Sequence, residues 1–516
     1  MSSLPSFLAA ASGPRGPSHD QRAACRAALA GAVALAVALG VGRFAFTPLL
    51  PLMLAGGELD IRHGGWLASA NYAGYFVGAM TCARIAVDPA RMVRAGLAAT
   101  VLLTFAMGLA SPFWVWALVR FVGGAVSAWT FVFASQWGLR RVVEHGAPAW
   151  GGVIYTGPGI GIVATGLIGF ALAGRHAALG WIGFAAASAV LTAFVWRAFG
   201  AAGAGTDGGQ SRGGAKRAGD GVGVADAAGR AGERLAAGAA EGAGAVADAV
   251  SAANVADTAD TADTANTANT ANTANTANSA NSANSANSAT ATAERNSPVA
   301  GVAGQHGAMA APAARAPHVE SAAARRDAFW LVLLYGLPGF GYIITATFLP
   351  VIARAALPAH SRWPDLFWPM FGAALIAGAL LGARLPSGWD NRLLLGACCA
   401  VQALGVALGI VWPTAPGFAL GSALVGLPFT AITLFAMREA RRLRGERAAG
   451  LMGYATASYG VGQIAGPLAA APLAAHAGSF SPALWLAATM LAVGAAGFAA
   501  VALRAWRAKT RGGGVG

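Results

Sequence analysis

Gly40-Val41-Gly42-Arg43, followed seven residues later by Leu50-Pro51, is written again as Gly339-Phe340-Gly341-Tyr342, with Leu349-Pro350 at the same distance. A shift of 300 carries Gly78, Ala83-Arg84 and Gly96 onto Gly378, Ala383-Arg384 and Gly396. A shift of 302 carries Gly124, Phe133-Ala134 and Arg140 onto Gly426, Phe435-Ala436 and Arg442. The repeat runs through apolar segments of membrane length. A chain duplicated in this way folds as two related sets of membrane helices, and a ligand site belongs where the halves meet. The sharpest difference between the copies is Arg43 against Tyr342.

A hydrocarbon core of about 30 Å takes roughly 20 residues of apolar helix. Twelve such spans are expected, at 27–51, 64–87, 93–111, 113–138, 149–174 and 178–199, then 328–356, 364–386, 392–413, 415–440, 449–475 and 481–505. The expected fold class is an all-α polytopic membrane protein with twelve transmembrane helices in two pseudo-symmetric six-helix halves. Charged residues make up 11% of the chain, against about 25% in a soluble domain. Residues 1–26 read as a cytoplasmic leader, 27–199 as the N-terminal bundle, 328–505 as the C-terminal bundle and 506–516 as a cytoplasmic tail. Between the bundles, 200–327 opens Gly/Ala-rich and continues as a three-residue repeat of Ala, Asn or Asp, and Thr or Ser. It lacks the apolar periodicity that offsets ordering entropy, so it reads as a disordered, low-complexity linker.

The net charge of +14 would suggest nucleic acid in a soluble protein. Here it follows topology. Arg62, Arg175, Arg354 and Arg362 fall in the loops or at the span end of one side, Arg43 and Arg120 lie deep within spans, and the remaining basic residues gather on the other side. The positive-inside rule puts that side, with both termini, in the cytoplasm. No nucleic acid partner is expected. Cys25, Cys82, Cys398 and Cys399 show neither metal nor disulfide spacing. No cofactor or metal is expected.

The 21 acidic residues and eight histidines fall outside the span interiors, with Glu439 at the cytoplasmic end of the tenth. Arg43 and Arg120 alone remain at depth, about 12 Å and about 10 Å below the outer ends of their spans. Asn71 reaches nearly the same level. Charge inside a membrane faces a cavity or a partner, and a guanidinium fork matches carboxylate or phosphate. One reading is therefore an anionic substrate; the other is that the arginines snorkel, or bond carbonyls and Asn71 to lock helices together. Proton carriers commonly use an intramembrane Asp, Glu or His, and the absence of one at depth leaves proton coupling without support. A membrane enzyme would need a cluster of nucleophile, base or metal ligands, which the chain lacks.

Twelve spans in a six-plus-six repeat resemble the major facilitator superfamily. Arg120 with Gly124 resembles its Arg-x-x-x-Gly element, and Gly157-Pro158-Gly159-Ile160-Gly161 its Gly-Pro element, echoed by Gly462-x-x-x-Gly466-Pro467. In the loop after the second span, Asp88, Arg91 and Arg94 fit the superfamily pattern while Arg84 replaces its Gly. Gly42-Arg43-Phe44-Ala45-Phe46-Thr47-Pro48-Leu49-Leu50-Pro51, with Leu67-Ala68-Ser69-Ala70-Asn71-Tyr72-Ala73-Gly74-Tyr75, resembles the YbfB/YjiJ-type branch. The resemblance implies a monomeric secondary transporter in a bacterial inner membrane, working by alternating access on a small-molecule solute. A coupling ion stays open as a further partner beside the lipid bilayer.

Because spans one, four, seven and ten line the superfamily's cavity, the resemblance brings Arg43, Arg120 and Tyr342 forward as substrate-binding residues, and Asn71 and Tyr75 of the second span join them as candidates. Ser127, Thr345 and Thr430 are lesser candidates that ordinary interhelical bonding would explain. Gating or packing falls to Asp88 and Asp390, and to the seams Gly157, Pro158, Gly161 and Gly462, Gly466, Pro467, where small residues four apart let helices approach closely. The expected cargo is an organic anion or carboxylate. Efflux of neutral hydrophobic compounds, or a sensor or scaffold on the same fold, is the alternative.

Overall fold

Each expected span contains helix in the computed structural model, which describes residues 19–200 and 322–512 apart from 86, 148, 149, 383, 384, 387, 446 and 447. Most of the 200–327 linker and of the leader lies outside the described residues. The helices are α1 His19–Ala55, α2 Ile61–Thr81, α3 Pro89–Leu109, α4 Phe113–Glu144, α5 Gly151–Ala171 and α6 Ala177–Trp196. The second half holds α7 Ala322–Ala356, α8 Trp363–Gly382, α9 Asn391–Val411, α10 Ala415–Arg444, α11 Ala448–Ala477 and α12 Ser481–Gly512. Helix α1 opens eight residues ahead of the expected edge, because Asp20 and the following polar residues continue the helix beyond the apolar run. The described residues up to 200 and from 326 on belong to one compact unit; of the other, Asn254–Arg325, only the first turn of α7 is described. Below, the terminal end is the end of the bundle that bears His19 and Gly512, and the far end is opposite.

Ten of these helices are long and apolar enough to cross a membrane; α2 and α11 fall short. Those two pack on each other between the halves. A helix that faces protein on more of its circumference needs less apolar surface, which accounts for Asn71 in α2 and Gln463 in α11, both buried.

The repeat seen in the sequence returns as paired contacts. A Cβ at Gly78 would stand 2.6 Å from Ala125 Cα, and one at Gly378 would stand 1.7 Å from Leu427 O. The helix pairs α2–α4 and α8–α10 thus approach at the positions that the shift relates. Local breaks separate the copies. Helix α10 is interrupted at Leu427-Pro428, where proline supplies no N–H, while α4 runs unbroken from Phe113 to Glu144.

Buried apolar side chains form two clusters. One joins the far-end residues of the first half, such as Leu49, Leu50 and Leu67, to nearly all of the second half. The other contains first-half residues alone, from Ala24 to Phe199, all toward the terminal end. The halves therefore share a core at the far end.

Candidate substrate-binding site

Helix α1 changes register just before Arg43. Ala36–Val41 forms a π-helical turn. Gly42 N bonds back to Val37 O and Arg43 N to Leu39 O, so the ladder passes over Ala38 O, which accepts from Ser127 Oγ at 2.7 Å. Such single π turns recur at functional sites because they re-aim one side chain. The turn occurs where α5 packs closely: a Cβ at Gly40 would stand 2.4 Å from Gly161 Cα. Ser127 is thus an interhelical hydrogen bonder.

The two intramembrane arginines meet at one level but have different partners. Arg120, 3% exposed, donates from Nη2 to Arg43 O at 3.3 Å and from Nε to Leu67 O at 3.5 Å. Its guanidinium lies 4.7 Å from the Phe46 ring. Asn71 Nδ2 in turn donates to Arg120 O at 2.8 Å. Arg120 and Asn71 therefore tie α1, α2 and α4 together through backbone carbonyls, the bland reading of the sequence.

Arg43 is 1% exposed, and its Nε, Nη1 and Nη2 are all buried without a hydrogen-bond partner. Its guanidinium carbon lies 4.5 Å from the Tyr75 ring, 4.8 Å from Tyr72 and 5.2 Å from Phe44. Cation–π contacts of this kind are worth about 0.5–2 kcal/mol each. They supply no acceptor lone pair in the plane of the ion, so its N–H groups stay unmet, and a buried unmet donor is costly.

From Phe44 a belt of rings crosses to the second half. Phe44 lies 5.8 Å from Trp368, which stacks on Phe371 at 5.1 Å and 5°. Phe371 meets Phe429 edge-on at 5.8 Å, and Phe429 meets Tyr342 edge-on at 4.6 Å. Phe429 is the first residue after the α10 break. Tyr342 stacks on Tyr459 at 5.9 Å, and its hydroxyl accepts from Gln463 Nε2. Tyr459 lies within electrostatic range of both Tyr342 and Arg43. Tyr72, Phe44, Trp368, Phe429, Tyr459 and Gln463 were not selected from sequence. Gln463 had one legible signal, a polar side chain set inside the Gly462–Gly466 seam.

On the far side of Arg43 the halves touch through hydroxyls. Thr47 Oγ1 donates to Ala346 O at 3.1 Å, Ser69 Oγ donates to Ile464 O at 2.8 Å, and Tyr72 OH lies 3.0 Å from Thr347 Oγ1. At the rim, Arg362 donates to Phe170 O at 2.8 Å. The glycines of the small-residue seams instead pack within each half. Gly157 and Gly161 pack on Ala32, Ala36 and Gly40 of α1, with Pro158 in the first turn after the Tyr155–Thr156 break. Gly462 and Gly466 pack on Gly336 and Phe340 of α7, with Pro467 against Gly65 of α2.

Asp88 and Asp390 cap helices: their carboxylates accept from Arg91 N and Arg392 N, both at 3.0 Å. Against the desolvation of partial burial, hydrogen bonds from Arg392 hold the Asp390 carboxyl below its usual range. Glu439 sits toward the terminal end of α10, as expected. It is 1% exposed, and burial is tolerable because Arg442 donates to both its oxygens, at 2.6 and 2.8 Å, with Asn391 Nδ2 at 3.5 Å. Thr345 lines a small cavity with Leu349, Phe418 and Leu484 inside the second half, and Thr430 is buried in α10.

Among the described residues no group of His, Cys, Asp and Glu could hold a metal ion. The chain matches a family model described as "Uncharacterised MFS-type transporter YbfB" over residues 35–219 and 283–498. The unmatched interval falls within the Ala-Asn-Thr tract and its flanks. No curated protein sequence gives a match. Among solved structures, the crystal structure of a mutant of the nucleoside transporter NupG aligns with a TM-score of 0.57 at 13% identity, covering 92% of this chain and 99% of that one. At that identity the likeness is one of fold.

Proposed function

Because the chain belongs to the YbfB-type family of major facilitator transporters, we propose that it carries a small organic anion or carboxylate across the membrane by alternating access, with Arg43 as the anion's anchor. One observation carries the reading: a fully buried guanidinium whose three nitrogens have no hydrogen-bond partner. A carboxylate arriving in its plane supplies two acceptors and the missing countercharge at once. Tyr342 and its neighbours offer the opposite wall from the second half. Arg120, engaged with carbonyls, holds α1 in place under the site.

With the termini in the cytoplasm of a bacterial inner membrane, the closed far end is the outer gate. The hydroxyl contacts of Thr47, Ser69 and Tyr72 seal the path outward, and rocking the halves about the site would exchange that seal for one at the terminal end. The seams of Gly157–Gly161 and Gly462–Gly466 let α5 and α11 lean against α1 and α7 during that motion.

The test is thermal stabilisation of the purified protein by a panel of small acids, with uridine and a neutral hydrophobic compound alongside. A ligand at about 100 times its Kd adds about 2.7 kcal/mol to native stability. Acids are expected to raise the melting midpoint of the wild type and to leave that of Arg43→Ala unmoved. Acids that stabilise both proteins equally would move the site away from Arg43. Neutral compounds acting while every acid fails would replace the anion reading with efflux of uncharged molecules.

A further inference from the structure

We propose that the anion is an aromatic carboxylate, whose ring inserts between Phe44 and Trp368 while its carboxylate takes the edge of Arg43. The proposal rests on the anion reading above and adds the chemical class of the body that bears the charge. Two features of the site carry it.

The first is the orientation that the edge of the guanidinium imposes. With Tyr75 and Tyr72 at 4.5 and 4.8 Å, ring faces engage the guanidinium, and its unmet donors radiate in its own plane. A carboxylate bound to that edge lies coplanar with the guanidinium. In an aryl carboxylate the ring continues the same plane, so the body of the ligand leaves the cage as a flat plate.

The second is what such a plate would meet. Phe44 adjoins Arg43 in sequence and belongs to the first half, whereas Trp368, Phe371 and Phe429 belong to the second. The Phe44–Trp368 contact, at 5.8 Å and 50°, is therefore a ring-to-ring joint between the halves that parts when they do. An arene entering there replaces the lost contact with two of its own, and Phe429 and Tyr342 present further edges beyond. Aromatic pairs contribute about 0.5–1.5 kcal/mol beyond buried area. A saturated acid of the same size would gain the area and miss this increment.

The experiment compares benzoate with cyclohexanecarboxylate, which shares its charge and approximate volume, and with benzyl alcohol, which keeps the arene and loses the charge. Dissociation constants are read by thermal shift on the full-length protein in detergent, in wild type, Trp368→Leu and Arg43→Gln. Benzoate is expected to bind wild type about tenfold more tightly than cyclohexanecarboxylate, the equivalent of one or two ring contacts. Trp368→Leu should narrow that ratio toward one, and Arg43→Gln should lose both acids. Equal binding of the two acids by wild type overturns the aromatic class and leaves the anion reading standing. Benzyl alcohol stabilising wild type and Arg43→Gln alike, with neither acid active, overturns both. The wild-type comparison decides the proposal even where a variant does not fold.

Discussion

Arg120 directs its donors to Leu67 O and Arg43 O, and its loss would remove the ties of α4 to both α1 and α2 and leave a buried gap. Arg120→Ala is expected to lower unliganded stability by about 3 kcal/mol, read as a fall in melting midpoint. Arg120→Lys should recover only part, since an ammonium cannot span both acceptors as a fork does. Arg43 predicts the opposite sign. Its guanidinium has ring faces but no hydrogen bond, so Arg43→Met should raise the ligand-free midpoint, by about 1–2 kcal/mol in stability, while abolishing acid-dependent stabilisation. Sequence put both arginines at one depth, and they do meet. It could not separate them, because the carbonyls that satisfy Arg120 leave no trace in residue identity, and the rings around Arg43 come from α1 and α2, spaced by the fold.

At the scale of helices, close approach was the legible feature and breaks were not. Glycines four apart marked Gly157–Gly161 and Gly462–Gly466 as seams, and each packs on the first helix of its own half. Gly161→Leu would drive a side chain into Gly40 and Ala36 and is expected to cost about 1–3 kcal/mol. It should also disturb the π turn that aims Arg43, so acid binding should weaken by more than the same substitution does at Gly183, where a Cβ meets nothing within 4 Å. The π turn itself had no signal beyond the Gly-Val-Gly run, since its neighbour Gly161 comes from another helix. Asp88 and Asp390, read as gate charges in sequence, also start helices by capping them. Asp390 titrates below its usual range, so its support of α9 is fully present above the ordinary carboxylate value of 3.8 and is lost as pH falls through the lowered one. The melting difference between wild type and Asp390→Asn should therefore be full near neutrality and close in acid.

For the whole molecule, duplication told most of the fold: two like halves and twelve helices. What the repeat could not tell is which end is closed, since that depends on the relative tilt of the halves and both tilts suit the same pattern. Here the far end is shut, with Thr47 Oγ1 3.1 Å from Ala346 O. Cysteines replacing Thr47 and Ala346 should cross-link on oxidation and stop transport in proteoliposomes, with activity returning on reduction; undiminished transport by the cross-linked protein would show that this end need not open. The bonds of that seal are hydroxyls meeting carbonyls or each other, and each exchanges for water at a net cost of about 1 kcal/mol. Nothing in those three bonds is ionised near neutrality. The barrier they set to opening therefore carries little dependence on ionic strength, and the same residues could cycle at similar speed in dilute or saline surroundings.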